Sequence, residues 1–287
     1  AAMFTMMNNA RVGVGVQGVG IAEAAFQHAL DYASTRIQGR TPEPQQPAII
    51  GHADVRRMLA TMKAQVFSAR AIALSCAVAI DMTSATDDPH WKARAALLTP
   101  IAKAYGTDVG VTVASEGVQI HGGMGFIEET GAAQFLRDVR ITPIYEGTNG
   151  IQAMDLVARK MADSGEAALR LIAEIEASTK AARATLPDLA EDVWAAIEGL
   201  REATETLLGQ STNDRFAGAV PYLRGFALVL GAHFHLSAAM AEGTTGPRRA
   251  LARVAIKRLL PEYAALFAQM REGADDLYAL SPDDLVT

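Results

Sequence analysis

Hydrophobic residues recur every three to four positions along almost the whole chain, which is the spacing of one buried face of an α-helix. Runs that alternate between hydrophobic and polar residues, as expected for half-buried strands, are nearly absent. Alanine, the strongest helix former, is abundant, and clusters of β-branched residues are few. The pattern therefore predicts an all-α protein built from helical bundles.

The predicted helices fall into two groups that meet at a turn around Asp163-Ser164-Gly165. The first group predicts a helical domain over residues 1–163, and the second predicts an additional helical domain over residues 164–287. Nearly all the unusual local sequences lie in the first domain, whereas the second is ordinary amphipathic helix. The predicted helices are 8–36, 52–84, 90–121, 128–138, 147–161, 165–184, 188–209, 214–243 and 247–272.

Helix-breaking residues mark the ends of these segments. A proline-rich stretch at 39–47 separates the first two helices, because proline is not accepted in a helix interior. Asp87-Asp88-Pro89 supplies an N-cap and a first residue for the third helix. Thr244-Thr245-Gly246-Pro247 predicts a stop followed by a new helix.

The segment around Glu146 carries the strongest local signal for chemistry. Pro143 ends the preceding helix, and Gly147 and Gly150 flank Thr148, a good N-cap, so a new helix should begin there. Glu146 would then lie on a short loop between two rigid elements, where a desolvated carboxylate can act as a general base. The pattern also allows a glutamate that only complements the helix dipole, worth about 0.3–1 kcal/mol.

Two glycine-rich segments are also unusual. Residues 119–126 contain three glycines in four positions, which either expose backbone N–H groups to a ligand or simply form a tight helix–helix turn. This segment is not a dinucleotide fingerprint, because no strand precedes it. Residues 7–20 place Arg11 beside four glycines, which would let another helix or a ligand come close. Arg11 could clamp an anionic ligand there or remain solvated.

Composition and charge exclude several classes of protein. The chain has 287 residues, of which 50% are hydrophobic and 20% are charged, so it is not intrinsically disordered. A net charge of −6, from 26 basic and 32 acidic residues, argues against a general nucleic-acid binder.

The few cysteine and histidine residues exclude other kinds of site. A single cysteine, Cys76, excludes a disulfide scaffold and fits a reducing compartment such as the cytoplasm. His233 and His235 point about 200° apart on a helix, so no metal site is predicted and both are expected in the core or at its rim. The most apolar run, at 71–80, is too short to span a membrane, and no membrane partner is predicted.

Taken together, the unusual segments resemble the C-terminal helical domain of the acyl-CoA dehydrogenases, over about residues 3–161. The segments at 54–59 and 149–156 are similar to a larger bacterial subgroup whose members carry an extra C-terminal helical domain. The matching motifs occur in the family's order and are the helix with Arg11, Tyr32-Ala33-x-x-Arg36, Gln119-x-x-Gly122-Gly123, Arg137-Asp138 and the most specific one, Ile144-Tyr145-Glu146-Gly147-Thr148.

The resemblance implies α,β-dehydrogenation of an acyl-CoA thioester, with FAD as the cofactor that accepts the hydride. The family's catalytic carboxylate corresponds to Glu146, which would remove the α-proton. The substrate contacts of the family correspond to Asn8, Arg11, Tyr145 and Gly147. Its FAD contacts correspond to Arg36, Gln119, Ile120, His121, Gly122, Gly123, Thr148 and Asn149.

The resemblance also implies partners. The family's flavin contacts at the glycine turn reach the flavin of a neighbouring subunit, which implies a homo-oligomer, either a dimer or a tetramer. The electron acceptor would be an electron-transfer flavoprotein, with reaction with oxygen as the alternative. The family builds its pocket from an N-terminal helical domain, a middle β-domain and this helical domain, and nothing here resembles the first two. We therefore expect this chain to be a fragment of a longer enzyme and to be inactive alone.

Two other functions remain open. A non-dehydrogenating relative of the alkylation-response type binds DNA through its C-terminal domain. The residues that could contact phosphates here lie along one predicted helix and are Arg248, Arg249, Arg253, Lys257 and Arg258. The same stripe could be a solvated helix face, which the net negative charge favours. The domain at 164–287 could also be purely structural or serve to dock a partner.

Overall fold

The computed structural model describes residues 2–42, 45–243 and 246–286, with side chains described from residue 7 onward. Within these ranges every regular element is a helix, apart from one isolated bridge between Ile37 and Ala48. The predicted all-α class is therefore confirmed. Residues 43–44 of the proline-rich stretch, and Thr244 and Thr245 of the predicted stop, lie outside the described residues.

Three long helices dominate the first half of the chain and agree with the prediction to within a few residues, apart from the earlier start of the first. The third begins where it was predicted, with Oδ1 of the N-cap residue Asp88 accepting the backbone N–H of His90 at 2.9 Å. Three short helices then lead to the candidate site. The bounds are α1 Ala2–Thr35, α2 Ala53–Ala85, α3 Pro89–His121, α4 Gly123–Phe126, α5 Ala132–Val139 and α6 Asn149–Ala158.

The second half begins after a turn in which Ser164 and Gly165 both have positive φ, of 59° and 75°. Its central helix, α10, packs against α8 and α12 of its own half and against α2 and α6 of the first half. The buried hydrophobic residues of both halves consequently form one continuous core. The bounds are α7 Glu166–Ala182, α8 Pro187–Gly209, α9 Thr212–Ala217, α10 Ala219–Glu242, α11 Pro247–Val254, α12 Glu262–Arg271 and α13 Asp275–Ala279.

Three of the predicted helices are interrupted, each at an identifiable residue. Gly131, with φ of 77°, ends a 3₁₀ turn, so α5 begins at residue 132 instead of 128. Gly218 separates α9 from α10 where the chain passes so close to α12 that a Cβ would lie 2.7 Å from the Met270 carbonyl oxygen. Pro261, which has no backbone N–H, follows a π-helical turn at Ala255–Leu259 and separates α11 from α12.

The closest contact in the first half is between α1 and α3. A Cβ at Gly15 would lie 2.6 Å from the Ala102 carbonyl oxygen, and one at Gly18 would lie 2.4 Å from that of Gly106. Only glycine fits at either position without displacing α3. Gly13, in contrast, has no atom within 4 Å of an added Cβ. Of the two roles predicted for these glycines, close helix packing is therefore the one found at positions 15 and 18.

Among the described residues, two helices are long and apolar enough to cross a bilayer by length and composition alone, namely α2 and α10. The sequence expectation considered only an uninterrupted apolar run and missed both. In α10, 67% of the apolar window is buried inside the protein, and in α2 the share is 39%. Because the core helix of a soluble protein passes the same test, this is weak support for a membrane span.

His233 and His235 both lie on α10, where His235 is buried and His233 is half-buried, in agreement with the predicted positions in the core or at its rim. The Nε2–H of His235 donates to the Ala64 carbonyl oxygen of α2 at 3.0 Å, and its ring lies against Phe67. Burial lowers the pKa of each imidazole to about 4. Both imidazoles are therefore neutral near pH 7, and His235 lies at the interface between the two halves.

We predict that Gly18→Ala destabilises the protein by about 2–3 kcal/mol, because the added methyl group collides with the backbone of α3. Gly13→Ala is the matched control on the same helix, and it should stabilise the protein by up to about 1 kcal/mol by lowering the entropy of the unfolded chain. The free energy of unfolding in urea measures both. Equal effects of the two substitutions would contradict the packing described here.

We also predict that the protein loses stability as the pH falls from about 6.5 to 4. In this window the unfolded chain binds protons at His233 and His235 that the folded protein excludes, so stability is greatest above the unfolded pKa. Each histidine contributes up to roughly 3 kcal/mol to this change. His235→Gln, which keeps a donor for Ala64, should flatten the dependence of unfolding free energy on pH. A wild-type curve as flat as that of the variant would contradict it.

Candidate active site

Glu146 lies in the turn that joins α5 to α6, and its backbone φ is 56°, in the left-handed region that residues other than glycine rarely adopt. The turn is closed by the backbone N–H of Asn149, which donates to the Pro143 carbonyl oxygen at 3.0 Å. Oγ1 of Thr148 accepts the N–H of Ile151 at 3.3 Å, so Thr148 caps α6 as predicted. The Glu146 side chain itself is exposed. The turn therefore combines a fixed backbone with a free carboxylate.

A buried glutamine fixes this turn from the inside. Gln152 is 0% exposed, and its Nε2 donates to the carbonyl oxygens of Glu146 at 3.3 Å and of Gly147 at 3.2 Å. Gly147 has φ of 83°, and a Cβ there would lie 2.8 Å from the same Nε2. Gly147, expected at the substrate, is therefore required by the turn itself. Gln152 was not singled out by the sequence analysis.

Arg11 forms a buried ion pair with Asp155 of α6. The two residues are 7% and 4% exposed, and the Arg11 Nη1 donates to the Asp155 Oδ2 at 3.3 Å. Arg159 and Lys160 also face the Asp155 carboxylate. The other end of the guanidinium lies beside the turn, because an ideal Cβ at Gly147 would be 4.0 Å from the Arg11 Nη2. The guanidinium is thus inside the protein, next to the turn of Glu146.

The two remaining residues predicted to contact substrate lie near Arg11. Asn8 is half-buried and precedes Arg11 by three residues on α1, so the two share a helix face. The Tyr145 hydroxyl donates to the Gln17 side chain, also on α1, and the residue is 37% exposed. The first helix therefore lies along the turn and contacts it at both Arg11 and Gln17.

Lys103 of α3 is the main residue of this region that the sequence analysis missed. Its side chain is 0% exposed, and its Nζ donates to the Asn149 Oδ1 at 2.9 Å. The Asn149 Nδ2 donates in turn to Asp108 Oδ1 at 2.7 Å and to Thr107 Oγ1 at 2.9 Å. Asn149, expected at the cofactor, thus has its side chain turned into the protein. A lysine within the apolar run of α3 was the signal that could have pointed to this cluster.

The residues expected at the cofactor near the end of α3 divide into exposed and buried ones. Arg36, Gln119, Gly122 and Gly123 are exposed, and Gly122 has φ of 59°, consistent with the predicted tight turn. Ile120 and His121 are buried, so only their backbones could meet a ligand.

His121 is held by the surrounding rings. It stacks on Tyr32 and on His28 with ring centroids 4.3 and 4.8 Å apart, and its Nδ1–H donates to the Gly117 carbonyl oxygen at 2.7 Å. Its burial lowers its pKa. The buried His121 ring therefore packs inside the protein, directly before the glycine turn in the chain.

The two groups of candidate residues lie at different positions along the parallel pair α1 and α3. Gly15 meets Ala102 near the turn of Glu146, whereas His28 meets His121 near the glycine turn. Lys103 and Gln119 are sixteen residues apart on one helix, which corresponds to about 24 Å at 1.5 Å per residue. The structure therefore brings together the residues around Glu146 and keeps Arg36 and the glycine turn apart from them.

Comparisons with protein families and curated proteins match both halves of the chain. A family model described as acyl-CoA dehydrogenase, C-terminal domain, matches residues 1–162, and one described as acetyl-CoA dehydrogenase C-terminal like matches residues 171–281. The 3-methylmercaptopropionyl-CoA dehydrogenase of Ruegeria pomeroyi is 42% identical over 97% of this chain and 51% of its own length. This chain spans about half of that relative.

Solved structures share the fold over most of the chain. ACDH-11 of Caenorhabditis elegans, in complex with C11-CoA, has a TM-score of 0.75 at 20% identity and covers 89% of this chain and 43% of its own. An acyl-CoA dehydrogenase of Bacillus anthracis, complexed with FAD, has a TM-score of 0.67 at 21% identity and covers 99% and 51%. At these identities the likeness concerns the fold alone.

We predict that Asp155→Asn destabilises the protein by about 3–5 kcal/mol, because it leaves the buried Arg11 charge without its carboxylate. Asp54→Asn, which breaks the exposed pair with Arg57, is the control and should cost less than about 1 kcal/mol. Urea unfolding at neutral pH compares the two. If Asp155→Asn has as small an effect as Asp54→Asn, the Arg11–Asp155 pair does not hold α1 to α6.

Proposed function

This chain belongs to the acyl-CoA dehydrogenase family, and from that premise we propose that it is the C-terminal half of a flavin-dependent enzyme that dehydrogenates acyl-CoA thioesters between Cα and Cβ. The full-length enzyme would then be this chain preceded by an N-terminal half of the kind that completes the family's pocket. The observation that carries the proposal is the turn of Glu146, where buried groups fix the backbone and leave the carboxylate free.

In the proposed reaction the Glu146 carboxylate removes the α-proton of the thioester. That proton is acidified because the thioester carbonyl stabilises the enolate, so a carboxylate in a water-excluded pocket is a sufficient base. When bound, FAD would supply the chemistry of hydride acceptance from the β-carbon. Arg11 and Gln152 keep the base in position from within the protein, and Tyr145, Asn8 and Gly147 border the space in which the substrate would lie.

The residues of the glycine turn suit the pyrophosphate and adenine parts of FAD. An added Cβ at Gly122 or Gly123 would meet nothing within 4 Å, so a ligand can approach this backbone closely. The exposed guanidinium of Arg36 can pair with a phosphate, and the side chain of Gln119 is free to contact a base. Ile120 and His121 would contribute backbone groups only. Near the base, Thr148 would offer its exposed hydroxyl, whereas the side chain and the backbone N–H of Asn149 are already bonded within the protein.

The separation of the two groups supports a homo-oligomer. The glycine turn lies roughly 24 Å along α3 from Lys103. At that distance it is well placed to contact a second flavin, which would be bound mainly by a neighbouring subunit. We propose a dimer or tetramer on this basis. The proposed electron acceptor is an electron-transfer flavoprotein, and the proposed compartment is the cytoplasm. Cys76 is consistent with that compartment because burial raises its pKa to about 11 and keeps the thiol unreactive.

The alternative of DNA binding through the second half loses support from the contacts of the basic stripe. Arg253 and Lys257 form ion pairs with Asp188 and Asp192 of α8, and the guanidinium of Arg248 lies over the ring of Phe67 at 5.0 Å. Three of the five basic side chains are thus engaged within the protein, so the stripe offers few free charges to phosphates.

The proposal predicts that several saturated acyl-CoAs bleach the flavin of the full-length enzyme under anaerobic conditions. Glu146→Gln should keep the flavin but slow bleaching by about a hundredfold or more, because the amide cannot accept the α-proton. Glu129→Gln, an exposed glutamate outside the site, is the control and should react like the wild type. Equal bleaching by Glu146→Gln would reject Glu146 as the base. Bound flavin that no thioester reduces would favour the DNA-binding or structural alternative.

A further inference from the structure

Lys103 is a fully buried cation that the proposed reaction does not use directly. The residue is 0% exposed, and its ammonium group donates to the Asn149 Oδ1 at 2.9 Å. Placing an ammonium group in such surroundings costs free energy unless nearby charges and acceptors compensate it. A neutral side chain of similar length would fill the same space, so the charge itself requires an explanation.

The partner of Lys103 closes the turn that carries Glu146. Asn149 is the first residue of α6, three positions after Glu146, and its backbone N–H donates to the Pro143 carbonyl oxygen. Its side chain is anchored to α3 by Lys103, Thr107, Asp108 and the Ala104 carbonyl oxygen. Any change at Lys103 is therefore transmitted to the residue that holds both ends of the turn together.

The charges around Lys103 also connect it to Glu146. Burial lowers the pKa of the Lys103 ammonium to about 8, while the carboxylates of Asp108 and Glu146 favour its charged form and Arg11 opposes it. The charged groups packed around this cluster come from four helices and from the loop between α5 and α6, and are Arg11, Asp108, Arg140, Glu146, Asp155 and Arg224.

We propose that Lys103 is a positioning residue for the catalytic carboxylate: through its hydrogen bond to Asn149 it holds the turn of Glu146 closed. The catalytic part of this proposal rests on the proposed function, whereas the structural part concerns this chain alone. In this role Lys103 would act on Glu146 through Asn149, without contacting substrate or cofactor itself.

The structural part is tested by hydrogen exchange in the 287-residue chain. In Lys103→Met the amide of Asn149 should exchange roughly tenfold faster than in the wild type, because the turn opens more easily. Lys92→Met replaces an exposed lysine on the same helix and should leave this rate unchanged. If Lys103→Met does not fold, Lys103→Gln, which keeps a donor without the charge, is used in its place. An unchanged Asn149 exchange rate in a folded variant would overturn the proposal.

The catalytic part is tested in the full-length enzyme. Lys103→Met should lower kcat about tenfold with a much smaller change in KM, since the base and not the substrate contacts are disturbed. An equal loss in Lys92→Met, or a loss that appears in KM and not in kcat, would overturn this part. A wild type that performs no dehydrogenation would reject the proposed function, and the exchange result would still decide whether Lys103 holds the turn.

Discussion

The close approach of α1 to α3 is the contact on which the candidate site depends. Gly15 and Gly18 allow the two backbones to meet at Ala102 and Gly106, and larger residues at these positions would force the helices apart. Arg11 lies one turn before this contact on α1, and Lys103 comes directly after it on α3. The packing of α1 against α3 therefore places the side chains of Arg11 and Lys103 at the same end of the structure, beside the turn of Glu146.

The charged groups near the turn of Glu146 lie at two depths, some buried and one at the surface. Arg11 is compensated by Asp155 and Lys103 lies close to Asp108, so the interior of the site contains cations with carboxylates nearby. Glu146 differs from the buried Asp155 because its side chain is exposed, while its backbone is fixed by Gln152 and Asn149. A general base needs this combination, since its carboxylate must reach a substrate from a position that does not drift. The buried charged groups behind the turn thus hold its backbone in place, while the Glu146 carboxylate stays exposed.

The features that depend on local sequence could be predicted, and those that depend on distant packing could not. Thr148 and Asp88 were identifiable as N-caps because a cap needs only the residues that come after it. The break at Gly218 was not predictable, because it exists where another helix comes close. The roles of Gln152 and Asp155 were not predictable for the same reason. Their partners, the turn of Glu146 and Arg11 of α1, are brought close only by the packing of α6. The sequence indicated that Arg11 could bind an anionic ligand, but in the structure its guanidinium pairs with the carboxylate of Asp155.

The most direct test of the account is whether Glu146 removes an α-proton. An acyl-CoA with sulfur at the β-position cannot lose a β-hydride, so exchange of its α-protons in D₂O isolates this step in the full-length enzyme. We predict that the wild type introduces deuterium at the α-carbon and that Glu146→Gln does so about a hundredfold more slowly or not at all. Equal rates of exchange in the two proteins would contradict it.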